Sequence, residues 1–545
     1  MNPSTRQTRE IRRLLTRTWL PFFFRFGKLL PVQIETIPRI LEGDNVVVCS
    51  PTASGKTEAI VAPMCERILD LKQRLLGLVV LYITPTRALA NDLKERLWAP
   101  LRDVGLSMAL KTSDSPAFDP TSNLLITTPE SFDSLMCRQH KALQNIRYVV
   151  LDELHLIDNT FRGDQTRILL ERLREGNPDL RYYALSATLV DPTGVASRYF
   201  TPFKIVSVPG KREIDYELID YSDSEEGLRH LSAMLRSKKV RKPLAFCDSR
   251  KNVELVSAGL KHHLGSMEVL THHASLSKNT RLEAEHAMRV MKRACCVASP
   301  TLEIGIDIGD IDAIVLVGAP PSVSHLVQRL GRGNRRTERI QSFGLYRDKN
   351  EHNLFVSMYE AAREGNLESL PYVLSPSALV QQILSILFEK RQVPKEEMLR
   401  LLSPLGMPTS EIDAMLSNLR SRQLVLEARP GVYCPSQELM DLAEKGEVHS
   451  NIANLRETAI VDYSSGKEIG KAYVEPTKGS KFVFAGKTWV VVSADGTKIR
   501  AKPSEGSAPP PSFSYHFDSY HSDTGKFSCL VPDNIVEKYD SMRMP

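Results

Sequence analysis

Ser50-Pro-Thr-Ala-Ser-Gly-Lys-Thr57 directly follows the β-branched run Val46-Val-Val-Cys49 and precedes a helical pattern, the placement a phosphate-cradling loop requires. Backbone N–H groups of Ala53, Ser54, Gly55, Lys56 and Thr57 would wrap the phosphates, Lys56 would reach the β and γ oxygens, and the Thr57 hydroxyl would hold Mg²⁺, with Glu58 grouped beside them. Ser50 stands where the strict pattern has its first glycine, so this string alone also describes a simple Gly-Lys-Thr helix start. Asp152-Glu153-Leu-His155 changes that balance, because it ends a second apolar run, Tyr148 to Leu151. Two adjacent carboxylates at the end of a buried strand are costly without a cation. Asp152 is therefore read as the Mg²⁺ ligand, directly or through water, and Glu153 as the base that orients and deprotonates the attacking water. Hydrolysis also needs positive charge at the γ-phosphoryl group. Gln328-Arg-Leu-Gly-Arg-Gly-Asn-Arg335 offers it, with Arg332 and Arg335 read as neighbours on one helical face acting as arginine fingers beside Gln328.

The elements that position these groups follow from the pattern of apolar runs. From Val46 to about Val317, short β-branched runs alternate with helical stretches, as in parallel sheets covered on both faces. Two such α/β domains are expected, at 1–210 and 211–370, with the seam near Pro209 to Asp223. Beyond Pro371, apolar residues at Leu379, Ile383 and Leu387, at Met398, Leu401 and Leu402, and at Ile412, Leu416 and Leu419 mark three short helices. A hairpin around Arg429-Pro-Gly431 follows them, which outlines a winged helix at 371–445. Residues 446–505 alternate as strands, with Asp495-Gly496 as a hairpin turn, and predict a small β-barrel. Between Lys467 and Lys502 there are eight Lys or Arg against three Asp or Glu, so that module is basic. Trp489, Phe482 and Phe484 could stack bases there while Lys478, Lys481 and Lys487 track phosphates, but the alternation of Trp489 with Val491 favours a core position. Residues 506–545, opening near Ala508-Pro-Pro-Pro511, read as a linker or a segment that docks a protein partner. Arg6, Arg9, Arg12, Arg13 and Arg17 read as a solvated helix face.

Composition limits the classes. The 545 residues carry 42% hydrophobic and 25% charged side chains with a net charge of +6, which excludes a small binding module, a fibrous chain and a disordered one. Eight scattered cysteines without C-x-x-C spacing indicate neither a zinc site nor a disulfide framework. No apolar run approaches the ~20 residues that span a bilayer. A cytoplasmic protein without membrane contact is expected.

The ordered strings resemble the superfamily 2 helicases and, within them, the Lhr-like group. The matching motifs are Gln33 in Leu30-Pro-Val-Gln33, Ser50 to Thr57, Pro85-Thr-Arg87, Thr128-Pro-Glu130, Asp152 to His155, Ser186-Ala-Thr188, Phe246 to Arg250, Thr301 to Asp307 and Gln328 to Arg335. His272-His-Ala-Ser-Leu-Ser277 and His449-Ser-Asn-Ile452 are similar to the Lhr-like members in particular. The resemblance covers roughly Phe22 to Lys502. It implies tandem RecA-like domains with ATP and Mg²⁺ between them, Gln33 as the adenine reader, and Gly305 and Asp307 beside the nucleotide. It also implies ATP-dependent movement on single-stranded DNA or a DNA/RNA hybrid, usually 3′ to 5′, in DNA repair or genome maintenance, by a monomeric motor. Members of the group are generally longer, so a minimal core is expected.

Thr86, Arg87, Thr128, Pro129, Ser249, Arg250, Arg281 and Thr301, with Lys481 and Lys487, are the candidate nucleic-acid contacts. Short hydroxyls and arginines in loops at strand ends suit phosphate oxygens and carry no base information. Two rival readings are a motor subunit of a restriction or phage-defence assembly, and a scaffold that binds nucleic acid without hydrolysing ATP. The intact Lys56, Asp152, Glu153, Arg332 and Arg335 argue against the scaffold. About 18 residues separate Gly309 from Gln328, too few for a long strand-separating hairpin.

Overall fold

The computed structural model describes residues 3–51, 54–71, 77–187, 189–208, 213–302, 309–333, 339–366, 371–451, 458–472, 477–495, 498–506, 508–511 and 526–543. Two compact units emerge, each assembled from separated stretches of chain. One comprises Met1–Pro209, Ser369–Ala453 and Phe517–Pro545; the other comprises Gly210–Glu368 and Asn454–His516.

The first unit is built on a seven-stranded parallel sheet in the order Met108–Lys111, Leu124–Thr127, Val80–Ile83, Tyr148–Leu151, Arg181–Ser186, Val46–Cys49, Lys204–Ser207. The inner strands are buried along their length, because helices cover both faces and leave no side for polar alternation. The winged helix packs onto this unit. Its helices Pro376–Lys390, Lys395–Leu402 and Thr409–Ser421 bury the nine apolar positions read from the sequence, and Val393–Pro394, Val432–Pro435 and Val425–Arg429 form its small sheet.

A buried polar cluster joins the two parts of this unit. The fully buried Asp133 accepts hydrogen bonds from Ser385 Oγ (2.6 Å), Gln381 Nε2 (2.8 Å), His449 Nδ1 (2.8 Å), Gln382 Nε2 (3.2 Å) and Arg172 Nη1 (3.3 Å). His449, the first residue of the His-Ser-Asn-Ile string, thus acts as a structural fastener. Asp133, Cys137 and His449 offer ligand atoms within 4.8 Å of one another, but five donors already fill the carboxylate and Arg172 supplies the positive charge. Burial alone would raise the Asp133 pKa; the bond and charge of His449, then Arg172 and Ser385, hold it below the ordinary carboxylate value. A depressed folded value means that Asp133 contributes stability above about pH 3.9, lost as pH falls through the folded pKa. Asp133→Ala should cost about 3–5 kcal/mol by leaving Arg172 without this partner, and denaturant unfolding of the first unit will measure it.

One expectation needs correction here. The C-terminal stretch is not a free linker over its described part: Phe527, Val531, Ile535 and Tyr539 are buried in the winged-helix core, with Tyr539 Oη donating to Glu411 (3.0 Å). Helix Asp533–Arg543 carries only two buried apolar residues, too weak a stripe to announce itself. Removing everything beyond Gly446 would strip this unit of both His449 and that helix.

The second unit carries a six-stranded parallel sheet in the order Glu268–His272, Ala294–Ala298, Pro243–Cys247, Ala313–Val317, Arg339–Tyr346, Glu213–Asp220. Its edge strand, Glu-Ile-Asp-Tyr-Glu-Leu-Ile-Asp, lies inside the expected seam. The charged alternation of a sheet edge resembles a linker in sequence. The basic module is a curled five-stranded half-barrel, with Glu468–Ala472 and Lys481–Phe484 as its edges, which do not pair with each other among the described residues. Phe482, Phe484 and Trp489 form its core, and Trp489 Nε1 donates to Phe484 O at 2.7 Å, in keeping with the core position expected for Trp489. Among the described residues no helix is long and apolar enough to cross a membrane.

Candidate nucleotide site and nucleic-acid face

The site in the first unit forms where strands end and helices begin. Strand Val46–Cys49 runs into the loop, and Gly55 turns it at φ +82° so that helix Lys56–Asp70 starts with its N-terminal amides facing the loop. A side chain at Gly55 would be strained twice over, since a Cβ would sit 2.4 Å from Gln33 Nε2. Gln33 spends its amide on both neighbours: Oε1 accepts from Leu30 N–H (2.9 Å) and Nε2 donates to Gly55 O (3.3 Å). The expected adenine reader is thereby fastened to the phosphate loop. Ser50 and Ser54 share a hydroxyl hydrogen bond of 2.7 Å.

The buried Lys56 ammonium donates to Ser50 O (2.7 Å) and Ser186 O (3.0 Å), two carbonyls that phosphate oxygens can replace. Thr57 is buried beside it. Glu58, grouped with the nucleotide ligands on sequence grounds, is instead paired with Arg96 at 3.0 Å.

Asp152 ends its strand in a buried position, with Oδ1 accepting from Glu153 N–H (2.9 Å) and Oδ2 from Tyr82 Oη (3.0 Å). Burial and then the neighbouring Glu153 charge push its carboxyl up to about 7, against the opposing pull of Tyr82 and Lys56. A carboxylate this costly to ionise, next to a second carboxylate, fits a hard divalent cation. Glu153 adopts φ +45°, a left-handed conformation costing about 1–3 kcal/mol in a non-glycine residue, of the kind that accumulates at functional sites. His155 Nδ1 accepts from Ala187 N–H (3.2 Å) and meets Ser186 Oγ at 3.1 Å. An accepting Nδ1 leaves the proton on Nε2, so the 3.6 Å approach of Glu153 to Nδ1 is not an ion pair, and the carboxylate strand is tied to the Ser186-Ala187 strand end.

Two functional residues escaped the sequence. Tyr82 looks like a core residue in Val-Leu-Tyr-Ile, yet its hydroxyl orients Asp152. Tyr82→Phe should weaken Mg²⁺ binding to the nucleotide complex by about 10–100-fold with little change in the fold, measured by titrating Mn²⁺. Arg162, in the helix after the carboxylates, ties the start of helix Pro129–Arg138 to the loop at Pro85 by donating to Glu130 Oε1 (2.5 Å) and Pro85 O (3.0 Å).

Among the candidate nucleic-acid contacts of this unit, Thr86 caps helix Arg87–Asp103 through Leu89 N–H (3.2 Å), Arg87 pairs with Asp114 (2.5 Å), and Thr128 precedes helix Pro129–Arg138. Pro129 is a correction: it is the buried first residue of that helix, where a fixed φ suits the start, and it offers no surface.

In the second unit Ser249 caps helix Arg250–Leu264 through Asn252 N–H (3.2 Å), and Arg250 Nη1 donates to Ser275 Oγ (2.7 Å). Arg281 lies in the first turn of helix Lys278–Val290, and Thr301 lies in the turn Pro300–Leu302. Gln328 is on helix Val323–Leu330; the chain continues from Gly331 to Gly333 in a turn in which Arg332 is buried, and the helical face expected to join Arg332 to Arg335 reaches outside the described residues. Lys481 Nζ donates to Glu505 O (3.0 Å), and Lys487 opens the next strand. Ala53, Gly305, Asp307 and Arg335 lie outside the described residues.

A parallel sheet ending in a phosphate loop and paired carboxylates, followed by a second parallel sheet with an arginine-rich turn, defines a nucleotide-binding protein with tandem RecA-like domains. Residues 30–193 match the DEAD/DEAH box helicase family and residues 226–337 the helicase conserved C-terminal domain. ATP-dependent helicase Lhr-Core of Methanocaldococcus jannaschii and Lhr-Core protein 2 of Thermococcus barophilus are each 30% identical over 90% of this chain, which spans 64% of their length. In fold, the Mycobacterium smegmatis helicase Lhr bound to ssDNA and AMP-PNP aligns with TM-score 0.70 at 24% identity, covering 82% of this chain and 63% of that one. MrfA bound to DNA aligns with TM-score 0.71 at 20% identity, covering 90% and 69%. The chain belongs to the superfamily 2 DEAD/DEAH box helicases, in their Lhr-like group.

Proposed function

We propose that this chain hydrolyses ATP to translocate 3′ to 5′ along single-stranded DNA and to separate strands in DNA repair. Lys56 and the amides at the start of helix Lys56–Asp70 hold the phosphates, Thr57 and Asp152 hold Mg²⁺, and Glu153 takes a proton from the attacking water. When bound, Mg²⁺ neutralises charge on the β and γ oxygens. Arg332 and Arg335 supply the positive charge the γ-phosphoryl group requires, with Gln328, while Gln33 reads adenine and Gly305 and Asp307 line the nucleotide. Thr86, Arg87, Thr128, Ser249, Arg250, Arg281 and Thr301 grip sugar-phosphate, so movement is independent of sequence. Alternating grip by the two RecA-like domains converts hydrolysis into steps.

The observation that carries this reading is the convergence of Lys56 Nζ, Ser50, Ser186 and the raised Asp152 carboxyl at adjoining strand ends. Polarity is tested by strand displacement with ATP on duplexes bearing a 3′ or a 5′ single-stranded tail. Displacement of the 3′-tailed duplex alone is expected, and equal or reversed preference rejects the polarity.

A further inference from the structure

The five-stranded module has the charge of a strand-binding surface, but the aromatic residues its sequence suggests for stacking, Phe482, Phe484 and Trp489, are all spent on its own core. Its bonds within the second unit go to two neighbouring places, the loop of residues 272–277, the His-His-Ala-Ser-Leu-Ser string, with the helix start that follows it, and helix Arg250–Leu264. At one end the module's edge strand pairs with the loop: Leu276 and Gly470 form an antiparallel bridge, Ser277 N–H donates to Ile469 O (2.7 Å), Lys471 N–H donates to Ser275 O (2.8 Å), and Thr280 Oγ1 donates to Ile469 O (3.3 Å). The approach is close enough that a Cβ on Gly470 would sit 2.3 Å from Ser275 O. At the other end, the hairpin turn Ala485-Gly486 rests on Glu254. This carboxylate is fully buried and accepts from Ala485 N–H (2.7 Å), Gly486 N–H (2.8 Å) and His273 Nε2 (2.8 Å), while Lys261 Nζ donates to Gly486 O.

Glu254 therefore links three things: the module's turn, the loop through His273, and helix Arg250–Leu264, whose first residue donates to Ser275 in that loop. Ser277 in turn caps the helix carrying Arg281. We propose that the module is a brace for the phosphate-gripping loop, and that Glu254 is its positioning residue, setting Arg250, Ser275 and Arg281 in register with a single strand. The inference rests on the reading of Arg250 and Arg281 as phosphate contacts. It assigns the module a role through the loop, where its lysines alone suggested a charged track.

The test is fluorescence anisotropy of the full chain with labelled oligo-dT across salt concentrations. Glu254→Gln keeps the size but turns an amide toward groups that donate. It should weaken binding roughly tenfold and lower the slope of log K against log salt by about 0.7 for each phosphate no longer gripped. ATP affinity should stay at the wild-type value, since the described bonds of Glu254 reach none of the residues placed at the nucleotide. Lys478→Ala, Lys481→Ala and Lys487→Ala combined should weaken binding through lost charge, but by less than Glu254→Gln does. A Glu254→Gln protein that binds as wild type, or a lysine variant that weakens binding as much as Glu254→Gln, overturns the brace.

Arg250→Ala separates the two layers. If it weakens binding while Glu254→Gln does not, the brace alone fails; if it too is silent, the phosphate-contact reading fails and the brace with it. Should Glu254→Gln not fold, hydrogen exchange on the lysine variant decides. Oligo-dT should slow exchange at the Ser277, Ala485 and Gly486 amides, and unchanged exchange there overturns the proposal.

Discussion

Glu153→Gln should reduce ATP turnover by about 10²–10⁴-fold, the usual contribution of a positioned general base, while ATP stays bound. Glutamine preserves size and most hydrogen bonding but cannot accept the proton of the attacking water. It also removes the negative charge that helps raise the Asp152 carboxyl, so the Mg²⁺ ligand should ionise more readily and the nucleotide complex should if anything tighten. Lys56→Ala makes the contrast. Its ammonium bridges Ser50 O and Ser186 O, and its loss takes a cation from the phosphates, so ATP affinity should fall together with turnover. Single-turnover hydrolysis alongside nucleotide-binding titrations measures both. Substantial turnover by Glu153→Gln would remove Glu153 from the base role.

Arg335→Ala carries the second large effect, a loss of about 10³–10⁵ in nucleic-acid-stimulated turnover with ATP binding retained, because arginine fingers act on charge that develops only in the transition state. ATP titration and turnover in the presence of oligo-dT measure the pair. If Met1–Pro209 together with the winged helix hydrolysed ATP as fast as the whole chain, the arginines would have no part in the chemistry.

The nucleotide loop and the carboxylates were legible because their neighbours in sequence are also their neighbours in space: Val46–Cys49 leads into Gly55 and Lys56, and Tyr148–Leu151 leads into Asp152. Groups whose meaning lies in a distant partner were not. Tyr82 reads as one more apolar strand residue until its hydroxyl is seen on Asp152, 70 positions away, and His449 acquires a role only against Asp133, 316 positions away. Arg332 illustrates a different limit. Its spacing suggests a helical position, but the helix ends at Leu330 and Arg332 is buried in the turn beyond it. The module reads as a barrel because its alternation is real; which edge pairs with which loop depends on the 272–277 segment, far earlier in the chain.

In the proposed cycle, a nucleotide held by Gln33, Lys56, Thr57 and Asp152 is hydrolysed when single-stranded nucleic acid is engaged. Steady-state ATPase of the full chain, with oligo-dT, duplex DNA, RNA of the same length or nothing added, tests it most directly. In that cycle a low basal rate should rise at least about tenfold with oligo-dT, as expected when the strand completes the active arrangement, with duplex DNA a weaker activator. A rate that is absent under all four conditions, or equal with and without the strand, would contradict it.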